Sequence, residues 1–322
     1  MSRYWIASLL PAIVAWLAIA LLLRSPLARR LVDRPNERSL HARPTPRVGG
    51  IGLLLGAIPV AAWLGGAQLA AVFACAVALA AVSLADDYRG LPVLVRLAAH
   101  LAAAALAAIE LGATGAISVL VAFAIAWMTN LFNFMDGSDG LAGGMAVIGF
   151  FAYALAAGGS GAPGLALASI ALACASAGFL AHNFPPARVF LGDVGSIPLG
   201  FLAGALGFAG YASGAWPAWF PLLAFAPFIV DASATLLRRA ARREPLWRAH
   251  RGHYYQRLVL SGWSARRLVL SAYALMLASA LAALAARAAG PMLQCGILLA
   301  ATAIYAVLLV AIESHLRPRG AP

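Results

Sequence analysis

The chain has 322 residues, of which 63% are hydrophobic and 11% charged, and its mean hydropathy is +0.88. Soluble proteins carry about 25% charged residues, so a water-soluble fold is excluded and lipid has to be the main solvent. The formal charge of +12 comes from 23 arginines and no lysine set against 11 acids; clustered as they are, the arginines follow the positive-inside rule and call for no nucleic-acid partner.

A spanning helix needs about 20 predominantly apolar residues, and that length divides the chain into about eleven predicted spans. They cover 4–23, 48–65, 68–85, 92–110, 114–132, 141–157, 164–182, 195–212, 217–237, 267–286 and 292–313. The expected fold is all-α: one polytopic membrane domain over 1–322, with loops near 24–47, 86–91, 133–140, 183–194 and 238–266. The first span reads as a retained anchor because SPLARRLVDR follows it instead of a small-residue cleavage site. Cys75, Cys174 and Cys295 all fall inside spans without metal-ligand spacing and read as small buried apolar residues.

Seven arginines lie between Arg24 and Arg47 and nine between Arg238 and Arg267, whereas only Arg3 and Arg287 fall near the opposite face. The positive-inside rule therefore predicts an outside amino terminus and a cytoplasmic location for both basic loops. Every segment that follows an odd-numbered span emerges on that same face, and these segments hold nearly all residues capable of chemistry.

Taken in chain order, the first loop holds HARPTPRVGG, with Arg43 and Thr45 as candidate substrate contacts. The next cluster, Asp86-Asp87, repels internally unless a cation or arginine neutralises it. One carboxylate could then serve as a base and the other as its charge partner; a plain salt bridge to Arg89 or Arg96 is the competing reading. In NLFNFMDGSDGLAGG, the residues Asn130, Asn133, Asp136 and Asp139 recur every third position and on a helix would form one ridge. Gly137 and Gly140 loosen that helix, and Gly143-Gly144 permit close backbone approach. Oxygen ligands beside free backbone N–H groups suit a hard cation such as Mg²⁺ together with a phosphate-bearing ligand.

Further on, FPPARVFLGDVGS places Asp193 at the start of a span between Gly192 and Gly195, either as a cap or as a metal ligand. The loop AHRGHYYQRL offers His250, Arg251, His253 and Gln256 for a nucleotide or diphosphate. Zinc does not suit it, because no cysteine is near and the arginines repel a dication. Arg96 and His100 share one face of the fourth span and line the bundle or snorkel. Asp231 stays open between helix packing and a site role. An ion-coupled transporter, the alternative class alongside a lipid-linked-sugar flippase, would place acids near the bilayer midplane within an internal repeat, and neither feature is present.

In this order, HARPTPRVGG, SLADDYRG, NLFNFMDGSDGLAGG, VFLGDVGS and HRGHYYQRL resemble the polyprenyl-phosphate N-acetylhexosamine-1-phosphate transferases, the superfamily that includes phospho-N-acetylmuramoyl-pentapeptide translocase. The resemblance implies Mg²⁺-dependent transfer of a sugar 1-phosphate from a UDP-sugar to undecaprenyl phosphate, with release of UMP and with Mn²⁺ as a substitute metal. It implies a bacterial inner-membrane enzyme with its active site facing the cytoplasm, and it is compatible with a homodimer. Carried over by motif, Asp86 matches the acid proposed to deprotonate the lipid phosphate, with Asp87 beside it. Asp193 matches the principal metal ligand, and Asn130, Asn133, Asp136 and Asp139 match residues lining the nucleotide and metal pocket. The family's common His-x-His-His arrangement is here His253, Tyr254, Tyr255, Gln256. That register resembles the branch initiating O-antigen, lipopolysaccharide or other surface glycans, which often uses a 6-deoxy-N-acetylhexosamine. N-acetylglucosamine also fits the pattern.

Overall fold

In the structure, a computed structural model, residues 2–35, 39–41, 43–245 and 250–316 are described. Parts of the two expected basic loops, residues 36–38, 42 and 246–249, lie outside the described residues, as do 317–322. The chain is an all-α polytopic membrane protein. Helix α1 (Ser2–Leu22) leads through the short α2 (Pro26–Arg30) to a two-residue antiparallel ladder, β1 (Val32–Asp33) with β2 (Thr45–Pro46). The helices α3 (Gly49–Gly65), α4 (Ala70–Arg89), α5 (Val93–Glu110), α6 (Gly115–Phe134), α7 (Leu141–Gly158), α8 (Pro163–Asn183) and α9 (Asp193–Ala212) follow. The chain ends in α10 (Trp219–Ala224), α11 (Ala226–Ala241), α12 (Tyr254–Leu260), α13 (Ala265–Ala288) and α14 (Pro291–Leu316).

Among the described residues nine helices are long and apolar enough to cross a membrane, and two of the eleven expected spans depart from that form. The second, α3, has 17 residues and contains Pro59; at 1.5 Å per residue it covers roughly 25 Å, short of the ~30 Å hydrocarbon layer. The ninth is broken at Phe225 into α10 and α11. Pro227, in the first turn of α11, has no N–H to continue a helix and is tolerated there because that donor would be unpaired anyway. The other boundaries have familiar chemistry. Gly90, at φ +64°, ends α4 with its N–H on the Asp86 carbonyl, and Pro163 opens α8.

Packing follows the small residues. Helix α8 sits among α1, α3 and α7, while α9 sits among α4, α5 and α6. A Cβ on Gly178 would come 2.4 Å from the Ala12 carbonyl oxygen, and one on Gly200 would come 2.7 Å from that of Met128. Backbones therefore touch where lipid gives no hydrophobic drive to association and dispersion has to hold the bundle. Helix α14 contributes no buried residue and presents Leu299, Ile304, Val307 and Val310 outward, as a lipid-facing helix does. For that reason only Cys75 is buried as expected; Cys174 is half-buried, and Cys295, on α14, is exposed.

Candidate active site

The site begins with backbone pairing around the first loop. Arg47 N–H donates to the Leu31 carbonyl, Phe190 N–H to Pro46, Gly49 N–H to Phe190 and Gly50 N–H to Leu191, all at 2.8–3.0 Å. This lays the 187–192 loop along the start of α3. The alignment requires glycine at Gly50 and Gly195, since a Cβ on Gly50 would lie 2.4 Å from Gly195 N. The N-termini of α3 and α9 consequently meet, and Asp193 is presented as the first residue of α9, after Gly192 at φ +69°. Thr45 is buried in the ladder with its hydroxyl on the Arg43 carbonyl, while the Arg43 side chain is exposed. Neither lines the cavity described below.

Asn133, near the end of α6, donates through Nδ2 to Asp193 Oδ1 and to Ser196 Oγ, both at 2.9 Å. The predicted ridge then breaks. Helix α6 stops at Phe134, so Asp136 and Asp139 belong to the turn before α7, and Gly140 at φ +76° closes that turn. Asp136 accepts from the Gly192 N–H; burial and the neighbouring Asp193 charge push its carboxyl well above the usual carboxylate range. Asp139 is a latch, accepting from Ala187 N–H at 2.9 Å. Asn183 completes the latch by accepting from Gly140 N–H and donating to the Val189 carbonyl, each at 2.8 Å. Asn130 points elsewhere, to the Ala126 carbonyl at 2.7 Å and the buried His100 ring.

Asp86 and Asp87 diverge because adjacent positions on a helix are turned about 100° apart. Asp86 bonds Arg96 Nη1 at 2.9 Å and Leu91 N–H at 2.6 Å, which is the salt-bridged alternative. Asp87 bonds Arg47 Nη2 at 3.1 Å, and its second oxygen, Oδ2, is buried with no hydrogen-bond partner. Asp193, Asp86 and Asp33 are its electrostatic neighbours. Of the two, Asp87 is the one linked through arginine to the cavity.

The basic loop divides similarly. Asp231 on α11 accepts from Tyr254 and Tyr255 N–H at 2.9 Å and from His253 Nδ1 at 3.3 Å, which anchors the start of α12. His253 is 3% exposed, with its backbone N–H on Gln256 Oε1 at 3.2 Å and its ring on Asp231, so it is held at the start of α12 and does not line the cavity, contrary to expectation. His250 and Gln256 do line the cavity, whereas Arg251 faces a different cleft. Partial burial, His253 and the Arg239 and Arg238 charges lower the His250 pKa to about 4.

The resulting cavity, of about 370 Å³, is lined by Asp33, His41, Arg47, Asp136, Asp139 and Asp193, with His250 and Gln256 at the basic side. The sequence pattern does not single out Asp33, His41, Arg47 or Asn183. Topological parity already placed Asp33 on this face, and His41 and Arg47 stand within HARPTPR. Among the described residues no three His, Cys, Asp or Glu side chains form a cation cage. The Asp136–Asp193 pair fits Mg²⁺ nonetheless, since that ion is commonly held by one or two carboxylates together with water and substrate phosphates.

Residues 69–210, which carry Asp87, Asn133, Asp136 and Asp193, match the model of glycosyl transferase family 4. A decaprenyl-phosphate N-acetylglucosaminephosphotransferase of Mycolicibacterium smegmatis is 32% identical over 292 residues, covering 75% of this chain and 72% of the relative. The chain belongs to glycosyl transferase family 4. Another relative, named as a probable undecaprenyl-phosphate N-acetylglucosaminyl 1-phosphate transferase of Bacillus subtilis, is 26% identical over 281 residues, 79% of this chain and 78% of its own. The phospho-N-acetylmuramoyl-pentapeptide-transferase of Moorella thermoacetica is 35% identical over 166 residues, 52% of this chain and 51% of its own. The family 4 chain is thus a membrane transferase of the polyprenyl-phosphate N-acetylhexosamine-1-phosphate transferase superfamily, with bacterial relatives.

Proposed function

We propose that the protein transfers an N-acetylhexosamine 1-phosphate from a UDP-sugar to a polyprenyl phosphate, undecaprenyl phosphate in the first instance, at the cytoplasmic face of a bacterial inner membrane. In this reaction an oxygen of the lipid phosphate bonds to the sugar-bearing phosphorus, the phosphoanhydride breaks and UMP leaves. The observation that carries the reading is the convergence of Asp136, Asp193 and Arg47 on one cavity at the ends of apolar helices, with Asp87 behind Arg47. Two phosphate-bearing anions cannot approach one another without neutralisation, and an acid pair with an adjoining arginine is suited to supply it.

Asp136 and Asp193 would hold Mg²⁺, or Mn²⁺ in its place; when bound, the metal neutralises charge on the diphosphate. Asn133 fixes one Asp193 oxygen and so sets which oxygen remains free. Arg47 holds the phosphate-side charge, and Asp87 orients Arg47 and accepts the proton of a protonated lipid phosphate. His250 and Gln256 face the donor. The relatives named for N-acetylglucosamine support that sugar, and the His253 to Gln256 register supports a 6-deoxy analogue, the first sugar of an O-antigen-like or other surface glycan.

Membranes containing the protein, supplied with undecaprenyl phosphate and a panel of radiolabelled UDP-sugars, should convert one UDP-N-acetylhexosamine into organic-extractable label. EDTA should abolish the product and Mg²⁺ restore it. Folded protein that labels lipid from none of the UDP-N-acetylhexosamines would remove the proposal.

A further inference from the structure

The segment from His250 to Arg257, which runs into α12, separates two cavities. His250 and Gln256 line the acidic one, whereas Arg251, Gly252 and Arg257 line a cleft of about 260 Å³ with Arg238, Arg239, Arg242 and Glu244. Among the described residues none lines both. This second cleft lies where two helices end. Arg238 and Arg239 occupy the last turn of α11, and Glu313, in the last turn of α14, receives Arg238 at 2.6 Å and Arg257 at 2.5 and 2.9 Å. Arg239 also bonds Glu244 at 2.9 Å.

Among the described residues five arginines therefore face two glutamates, and the excess is not internally neutralised. Among the described residues Arg242 and Arg251 are exposed and without an ion pair. Arg239, only 9% exposed, has an Nε with no hydrogen-bond partner. A desolvated guanidinium N–H left unmatched is costly, and a phosphate oxygen is the acceptor whose charge and geometry match it. We propose that this cleft binds the phosphate headgroup of an anionic membrane lipid, separately from the acidic cavity.

Two observations favour a lipid over the nucleotide donor. Basic pockets between the ends of membrane helices sit at headgroup depth, and Trp263, stacked under Arg267 at 4.0 Å, stands just before α13 as tryptophans at membrane interfaces do. A metal–diphosphate complex would need a free carboxylate, but the one carboxylate among the described lining residues, Glu244, is already held by Arg239.

The test is native mass spectrometry of the purified full chain titrated with phosphatidylglycerol. Each arginine near the surface contributes about fivefold in affinity for an anionic headgroup. The wild type should retain the lipid, R242Q and R251Q should each weaken retention by about fivefold, and R266Q, outside the cleft, should match wild type. Equal retention by all four proteins would overturn the site. Equal loss in R266Q would reduce it to diffuse surface charge. Displacement of the lipid by millimolar UDP, or by millimolar inorganic phosphate, would overturn the lipid assignment in favour of a donor subsite or a soluble-phosphate site respectively. Lipid retention that survives both additions supports the proposal.

Discussion

At the scale of single residues, the two adjacent carboxylates are not equivalent. Asp86 is satisfied by Arg96 and Leu91 N–H, while Asp87 has one buried oxygen without a partner and reaches the cavity through Arg47. Asp87→Asn should therefore lower the transfer rate by at least about 100-fold, the scale expected for a lost acid–base group. Asp86→Asn should remain within about tenfold, the scale of a partly buried ion pair that does not line the cavity. Steady-state rates of the two variants in matched membranes decide this; comparable losses would return Asp86 to the reacting groups. His250 carries a second residue-scale consequence. Its folded pKa is about 4 against an ordinary 6.5, so between those values the unfolded chain binds a proton that the folded chain does not. Stability contributed by neutral His250 is present above about pH 6.5 and is lost as pH falls toward 4. His250→Asn should show a smaller drop in Tm between pH 7 and pH 5 than wild type in detergent.

Among the elements, α12 depends on a cap supplied by another helix. Asp231 accepts two backbone N–H groups at the start of α12 and fixes the His253 ring. Tyr255, in the first turn, then donates its hydroxyl to the Phe134 carbonyl, which joins α12 to the end of α6 beside the acidic turn. Asp231→Ala removes that cap, at a cost of about 1–2 kcal/mol on the scale of helix N-caps. Because Gln256 lies on α12, the same variant should raise KM for the UDP-sugar more than it lowers kcat. A fall in kcat with unchanged KM would place Asp231 among the reacting groups instead. The break at Phe225 belongs to this scale too: it makes α11, which carries Asp231, a helix separate from α10.

For the whole molecule, the charge distribution predicts sidedness that labelling can check. In a background lacking Cys75, Cys174 and Cys295, Arg43→Cys should react with an impermeant maleimide only in inside-out vesicles. Ser213→Cys, exposed at the opposite end of α9 from Asp193, should react only in right-side-out ones. The reverse pattern would invert the topology and move the proposed reaction to the outer face.

Much of this was legible in the sequence, because lipid imposes a simple rule: backbone polar groups have to be satisfied within the helix, so apolar length predicts helices directly. Scarce acids at the ends of spans marked the face of the site, whereas Gly143 and Gly144, expected at close backbone approaches, instead make room for the Phe179 and Tyr273 rings. What periodicity could not decide was where a helix stops and which way a side chain turns. The Asn130–Asp139 repeat reads as one ridge, yet α6 ends at Phe134, and Gly140 and Asn183 fold the remainder into a turn. His253 and Arg251 look like substrate contacts until Asp231 claims the first and the second turns into another cleft. Asp33 and His41 join the cavity only because the β1–β2 ladder and the glycine contact between α3 and α9 bring the first loop over Asp193. Composition by itself determined the solvent, the helices and the face on which chemistry gathers, since these depend on local polarity. Tertiary structure alone decided which carboxylate faces the cavity, because that choice rests on partners distant in the chain.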